Sequence, residues 1–142
     1  MPAYDNNNIF ARILRGEIPC QKVHEDGHVL AIMDVMPQAD GHVLVIPKKP
    51  SRNLLDADPS VLGPVMAVAQ KIGKASMKAF AADGIMLVQY NEAPAGQSVF
   101  HLHFHVIPRH EGVALRGHSG KMEDANVLAA NAEKIRAALT TA

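Results

Sequence analysis

Hydrophobic positions in this chain change period several times, and each change marks an element. In "NNNIFARILRGEIP", Ile9, Phe10, Ile13 and Leu14 recur at i, i+1, i+4 and i+5, the stripe of a short helix. An Asn of the run can cap it, and Gly16 stands where it would stop. "KVHED" predicts a short strand, and "HVLAIMDV", bounded by Gly27 and Pro37, a longer one. The longer run is apolar on both faces, as a central, covered strand requires. "PQADGH" is a turn, because Asp-Gly supplies permissive backbone angles, and "HVLVIPK" returns as the partner strand of a hairpin.

"DADPSVLGPVMAVAQKIGKASMKAFAADG" predicts the one long helix, capped by Asp58, with Pro59 in its first turn and Gly84 at its end. Leu62, Val65, Met66, Ala69, Ile72, Met77 and Phe80 follow helical spacing and are expected in the core. "IMLVQYN" and "VFHLHFHVIP" are two further strands, separated by the loop "EAPAGQS"; a polar loop then leads to a last helix, "ANVLAANAEKIRAAL". Hairpin-length turns and segregated strands favour an antiparallel sheet with helices packed on it, an α+β domain. At 142 residues one domain is expected over 1–142, with 109–142 as a C-terminal loop and helix extension.

Composition narrows the function classes. Fourteen basic and fourteen acidic residues cancel, so nothing predicts a nucleic-acid or membrane partner. No apolar run approaches the ~18 residues that span a bilayer, and the polar N-terminus predicts a cytoplasmic protein. The single cysteine, Cys20, excludes an internal disulfide framework and a CxxC metal clip, and reads as a packing residue.

The candidate chemistry lies in "HLHFHVIPRH", where four of the eight histidines fall within ten residues. On a strand, alternate side chains share a face, so His101, His103 and His105 point one way and Leu102, Phe104 and Val106 point into the core. Four readings compete. The face can be an exposed decoration, or HxH can begin a zinc site, although no cysteine pair or clustered carboxylate completes it. Histidine can serve another nucleophile as acid or base, although no serine or cysteine sits in an elbow motif. Or a histidine can itself attack phosphorus, which needs a ring locked in one tautomer and donors around the phosphate. Gly96, Gln97 and Ser98 just upstream offer a flexible backbone, an amide and a hydroxyl. This fourth reading uses most of the parts present; periodicity alone does not decide it.

"HLHFHVI" matches the His-φ-His-φ-His-φ-φ signature of the histidine triad family of nucleotidyl hydrolases and transferases, where φ is an apolar residue. "NIFARILRGEIP", "DVMPQADGHVLVIPKK" and "AGQSVFHLHFHV" resemble its nucleoside-phosphoramidase (Hint) branch, in the right order, from residue 8 to residue 108. The resemblance implies an α+β fold with a five-stranded antiparallel sheet, a homodimer pairing two such sheets, and a purine mononucleotide site needing no metal or other cofactor. It implies His103 as the nucleophile, His105 against the phosphate and leaving group, and His101 and His42 as supports of the site. Gln97 and Ser98 would touch the phosphate, Asp34 the ribose, and Asn91 the sugar-phosphate. Ile9, Phe10, Ile32 and Val35 would line the base pocket. His24, His28, His110 and His118 match no catalytic position.

Some bacterial relatives hold a structural zinc with two cysteines in the first helix. Here Asn8 and Ala11 stand at those positions, and "KKP" replaces "KKH", so the resemblance implies no such zinc. "HVIPRH" also resembles the dinucleoside-polyphosphate hydrolase (Fhit) branch. The expected activity is therefore phosphoramidate or nucleotidyl hydrolysis. The alternatives are dinucleoside-polyphosphate hydrolysis, or nucleotide binding with incidental hydrolysis.

Overall fold

A computed structural model describes residues 1–117 and 121–141. The element order is α1 (Ile9–Leu14), β1 (Lys22–Glu25), β2 (Val29–Met33), β3 (Val43–Pro47), α2 (Leu62–Ala79), β4 (Gly84–Val88), β5 (Phe104–Arg109) and α3 (Ala125–Thr140). The five strands form one antiparallel sheet in the order β1-β2-β3-β5-β4, the architecture expected.

β2 and β3 are buried along their whole length and pair Val29 to Pro47 through Met33 to Val43. One set of their side chains, with Leu102, Phe104 and Val106, packs under α2 and α3. The opposite set, Leu30, Ile32, Leu44 and Ile46, packs under Phe10 of α1. The sheet is therefore covered on both sides, which is why its central strands read as continuous apolar runs. α3 is no appendage: Leu128, Ala132, Ile135 and Ala138 belong to the same core as the strands. The C-terminal extension thus completes the domain.

Local signals explain most boundaries. Asn8 Oδ1 accepts the Ala11 N–H and caps α1, and Gly16 leaves it at φ 79°. Asp58 caps a 3-10 turn over Pro59–Val61 that runs directly into α2. α2 stops at Ala79, however, where Ala81 takes φ 47°; Gly84 opens β4 instead of ending the helix. Gly41, at φ 89°, turns the β2–β3 hairpin, and a Cβ there would lie 2.4 Å from the Phe80 ring, so only glycine fits. Met77, expected in the core, is half-exposed beside the edge strand β4. Among the described residues, no helix is long and apolar enough to cross a membrane.

Candidate active site

The histidine run departs from a regular strand at its start. β5 begins only at Phe104, so His101, Leu102 and His103 lie off the ladder. Alternation still holds, with Leu102 and Phe104 in the large core and the histidines on the opposite face. That face is covered: Phe10 of α1 meets His103 edge-on at 4.8 Å, and Tyr4 meets His101 at 5.6 Å. His101 and His42 are fully buried; His103 and His105 are each 8% exposed.

The partners of each ring specify its tautomer. The Gln38 backbone N–H donates to His42 Nδ1 at 3.1 Å, so His42 carries its proton on Nε2. That Nε2–H lies 2.9 Å from His105 Nδ1, which accepts, leaving His105 a proton on Nε2. His103 Nδ1–H donates to the His101 carbonyl at 2.7 Å, which leaves a lone pair on His103 Nε2. His101 Nε2–H donates to the Pro47 carbonyl at 2.8 Å, and His101 Nδ1 accepts the Tyr4 hydroxyl at 2.6 Å. Burial pushes His103 down from 6.5 to about 4 and lowers His101 as well, because an imidazolium loses its hydration there. The His103 ring is neutral at pH 7.

His103 and His105 open onto a cavity of about 220 Å³ lined also by Gln38, Tyr90, Gly96 and Ser98. Ser98 is exposed, and Gly96, at φ 107°, lets the loop pass close to the Tyr90 ring. These residues sit as expected beside the rings. Gln97 does not. Its Oε1 accepts from Glu92 N–H and Asn53 Nδ2, and its Nε2 donates to the carbonyls of Arg52 and Val99. Its backbone N–H donates to the Glu92 carbonyl. All its donors are therefore engaged within the protein, where they tie the loop to its neighbours.

Glu92 occupies φ 73°, a region that disfavours side chains, and is kept there by Gln97, Asn53 and a two-pronged bond from Arg52. The Arg52 guanidinium also holds the Glu92 carboxyl below its ordinary range. Asn91 is likewise a loop tie: its Oδ1 accepts the Leu54 N–H, and its amide pairs with Gln89.

Asp34 follows β2, buried; Oδ1 accepts the Met36 N–H at 2.8 Å and Oδ2 lies 3.4 Å from His42 Nε2. Of the four residues expected around a base, Ile9 and Val35 present open apolar surface, whereas Phe10 and Ile32 are buried in the core under α1. His24 pairs with Asp26, His28 is exposed, and His110 bonds the Phe80 carbonyl; His118 lies outside the described residues. Sequence reasoning missed Tyr4, Gln38 and Tyr90. No local motif marks them, since Tyr4 meets His101 across 97 residues and Gln38 acts through its backbone.

Ligand atoms of Asp34, His42 and His105 lie within 4.8 Å of one another, close enough to ask whether they hold a metal. The tautomers answer against it. A metal would need the Nε2 lone pair of His42, but with Nδ1 accepting from Gln38 that atom carries the proton. His101 offers no alternative, having both ring nitrogens engaged.

Comparison with known proteins agrees with this geometry. The HIT domain family model matches residues 15–112. Adenylylsulfatase HINT3 of Arabidopsis thaliana is 40% identical over 83% of this chain, which spans 63% of the plant protein, less than two thirds of its length. A Bartonella henselae structure, described as a Hit-like protein involved in cell-cycle regulation with an unknown ligand, is 59% identical. It superimposes with a TM-score of 0.90 over 96% of this chain and 99% of its own. A zinc-bound histidine triad family protein from Mycobacterium smegmatis is 33% identical, with a TM-score of 0.85 over 95% and 94% of the two chains. Four interlocked histidines on a covered sheet face, in a chain of this sequence, make the protein a member of the histidine triad (HIT) family.

Proposed function

We propose that the protein hydrolyses a purine nucleotide at its α-phosphorus through a nucleotidyl-His103 intermediate, with phosphoramidates as the substrate class. The observation that carries this reading is the His103 ring itself. Its Nδ1–H is tied to the His101 carbonyl, and burial keeps the ring neutral, so Nε2 has a lone pair at the wall of a cavity. An imidazole so held is a ready nucleophile.

In the first step, His103 Nε2 forms a bond to phosphorus while the phosphorus–nitrogen bond breaks. The departing nitrogen, protonated before attack, leaves as a neutral amine with the bonding pair. The positive charge on the modified ring is steadied by its Nδ1–H bond to a carbonyl. His105 Nε2–H and the Ser98 hydroxyl flank the same cavity and can donate to phosphate oxygens. In the second step water adds to phosphorus and gives one proton to solvent. The phosphorus–Nε2 electrons then return to His103, and a nucleoside monophosphate is released.

Asp34 is the proposed ribose acceptor; a carboxylate accepts about four hydrogen bonds, so the Met36 N–H leaves it capacity. Ile9 and Val35 would meet the base. Adenylyl sulfate, suggested by the name of the plant relative, poses the same reaction with sulfate as leaving group. The test is release of AMP from adenosine 5′-phosphoramidate, in EDTA, by wild type and His103→Ala, with adenylyl sulfate and a dinucleoside polyphosphate alongside. AMP from the wild type alone supports the reading. Release undiminished in His103→Ala overturns it.

The same proposal includes a homodimer. β4 is an edge strand, and beside it Met66, Ala69, Gly73, Met77 and Leu87 line an apolar groove of about 450 Å³. An unpaired edge next to exposed apolar side chains is a surface that a second copy can cover.

A further inference from the structure

The orientation of His103 depends on a carbonyl that no sheet ladder holds. The His101 carbonyl accepts the His103 Nδ1–H, yet residues 101–103 precede β5. Three other bonds fix this stretch. Leu102 N–H donates to the Ser51 carbonyl at 3.0 Å, His101 Nε2–H to the Pro47 carbonyl at 2.8 Å, and the Tyr4 hydroxyl to His101 Nδ1 at 2.6 Å. Only the last comes from outside the sheet and its connections, from a segment ahead of α1.

We propose that Tyr4 is a positioning residue for His103: its hydroxyl satisfies the buried His101 Nδ1, and so holds in place the carbonyl that sets the His103 tautomer. The inference rests on the reading of His103 as nucleophile. The His101 ring is 0% exposed, so water does not replace a lost partner there without rearrangement. Without the hydroxyl, Nδ1 is left as a buried acceptor with no donor. Burial opposes the ring's taking up a proton, so it answers by rotating. Rotation breaks the bond to Pro47, one of the ties that hold residue 101 and its carbonyl. Tyr4 does not line the cavity of His103 and His105, so it has no place as an acid or base in the reaction.

Tyr4→Phe removes the hydroxyl and keeps the ring that meets His101 edge-on. With adenosine 5′-phosphoramidate, kcat should fall by about tenfold while KM stays within about twofold, the pattern of a group that acts on reactivity and not on binding. The ¹⁵N spectrum of the histidine rings should change in parallel, with His103 passing from a single Nδ1–H form to a mixture. An unchanged kcat overturns the proposal. So does a lower melting temperature with kcat per folded molecule intact, or a fall in kcat with the His103 spectrum unaltered.

If Tyr4→Phe does not fold, fluorotyrosine at position 4 keeps the hydroxyl and sharpens it as a donor. The His101 and His103 ring shifts should then move together, and an unmoved His103 overturns the proposal. His103→Ala is assayed in parallel. If wild type and that variant release AMP alike, the nucleophile reading has failed, while the ¹⁵N comparison still decides the role of Tyr4.

Discussion

Burial of His103 ties the stability of the domain to pH, and the size of the effect follows from the structure. The ring titrates near 6.5 when solvated and near 4 in the fold, so the unfolded chain binds its proton first as pH falls. Stability from this group is full above the unfolded value and declines between about pH 6.5 and pH 4. The whole decline is about 3 kcal/mol, and about 2 kcal/mol of it is lost between pH 7 and pH 5.

His101 is depressed in the same direction, so the wild-type profile alone does not isolate His103. The perturbation is therefore His103→Gln, which removes the titrating ring. Urea unfolding at fixed protomer concentration, at pH 7 and pH 5, gives the difference between wild type and variant at each pH. That difference should shift by about 2 kcal/mol in favour of the variant at pH 5, roughly 1 M in urea midpoint. A difference constant to within about 0.5 kcal/mol would refute the reasoning, because it would mean that the ring is no harder to protonate folded than unfolded.

Gln97→Ala strips partners from two donors and two carbonyls around its own buried amide, and should cost about 3 kcal/mol in chemical unfolding and lower kcat as the Gly96–Ser98 wall loosens. Ile135→Ala, in a fully buried position of α3, should cost about 3 kcal/mol; an effect under about 1 kcal/mol would return α3 to the status of an appendage. Leu87→Lys places a charge in the groove beside β4, and sedimentation should then give 15.3 kDa where the wild type gives twice that mass.

The sheet was largely legible in the sequence because its central strands are covered on both sides and its turns carry Asp-Gly or Gly at the positions that need them. The end of α2 was not. Gly84 offers the expected chemistry, but Ala81 takes the left-handed angle first, just after Phe80, whose ring packs on Gly41 of the distant hairpin. Met77 follows the helical stripe yet faces the groove, since periodicity reports a face and not what covers it.

Within the site, His101, His103 and His105 stand out because three imidazoles at alternate positions have few other uses, whereas His42 is marked only by the resemblance of its block. Gln97 is harder to read for the opposite reason. An amide that can donate to a phosphate can as well donate to a carbonyl, and only the path of the loop decides. Tyr4 left no trace, being held to its partner by the fold alone.

Three of the four tautomers in this relay are dictated by main-chain groups: the Gln38 N–H, the Pro47 carbonyl and the His101 carbonyl. Protonation here is thus written largely into the course of the backbone, with the Tyr4 hydroxyl on His101 as a side-chain support outside the rings. What heredity must respect is a prohibition. Residue 38 follows Pro37 in a turn where a second proline would fit the local idiom, and yet an imino acid there would silence the first donor of the chain.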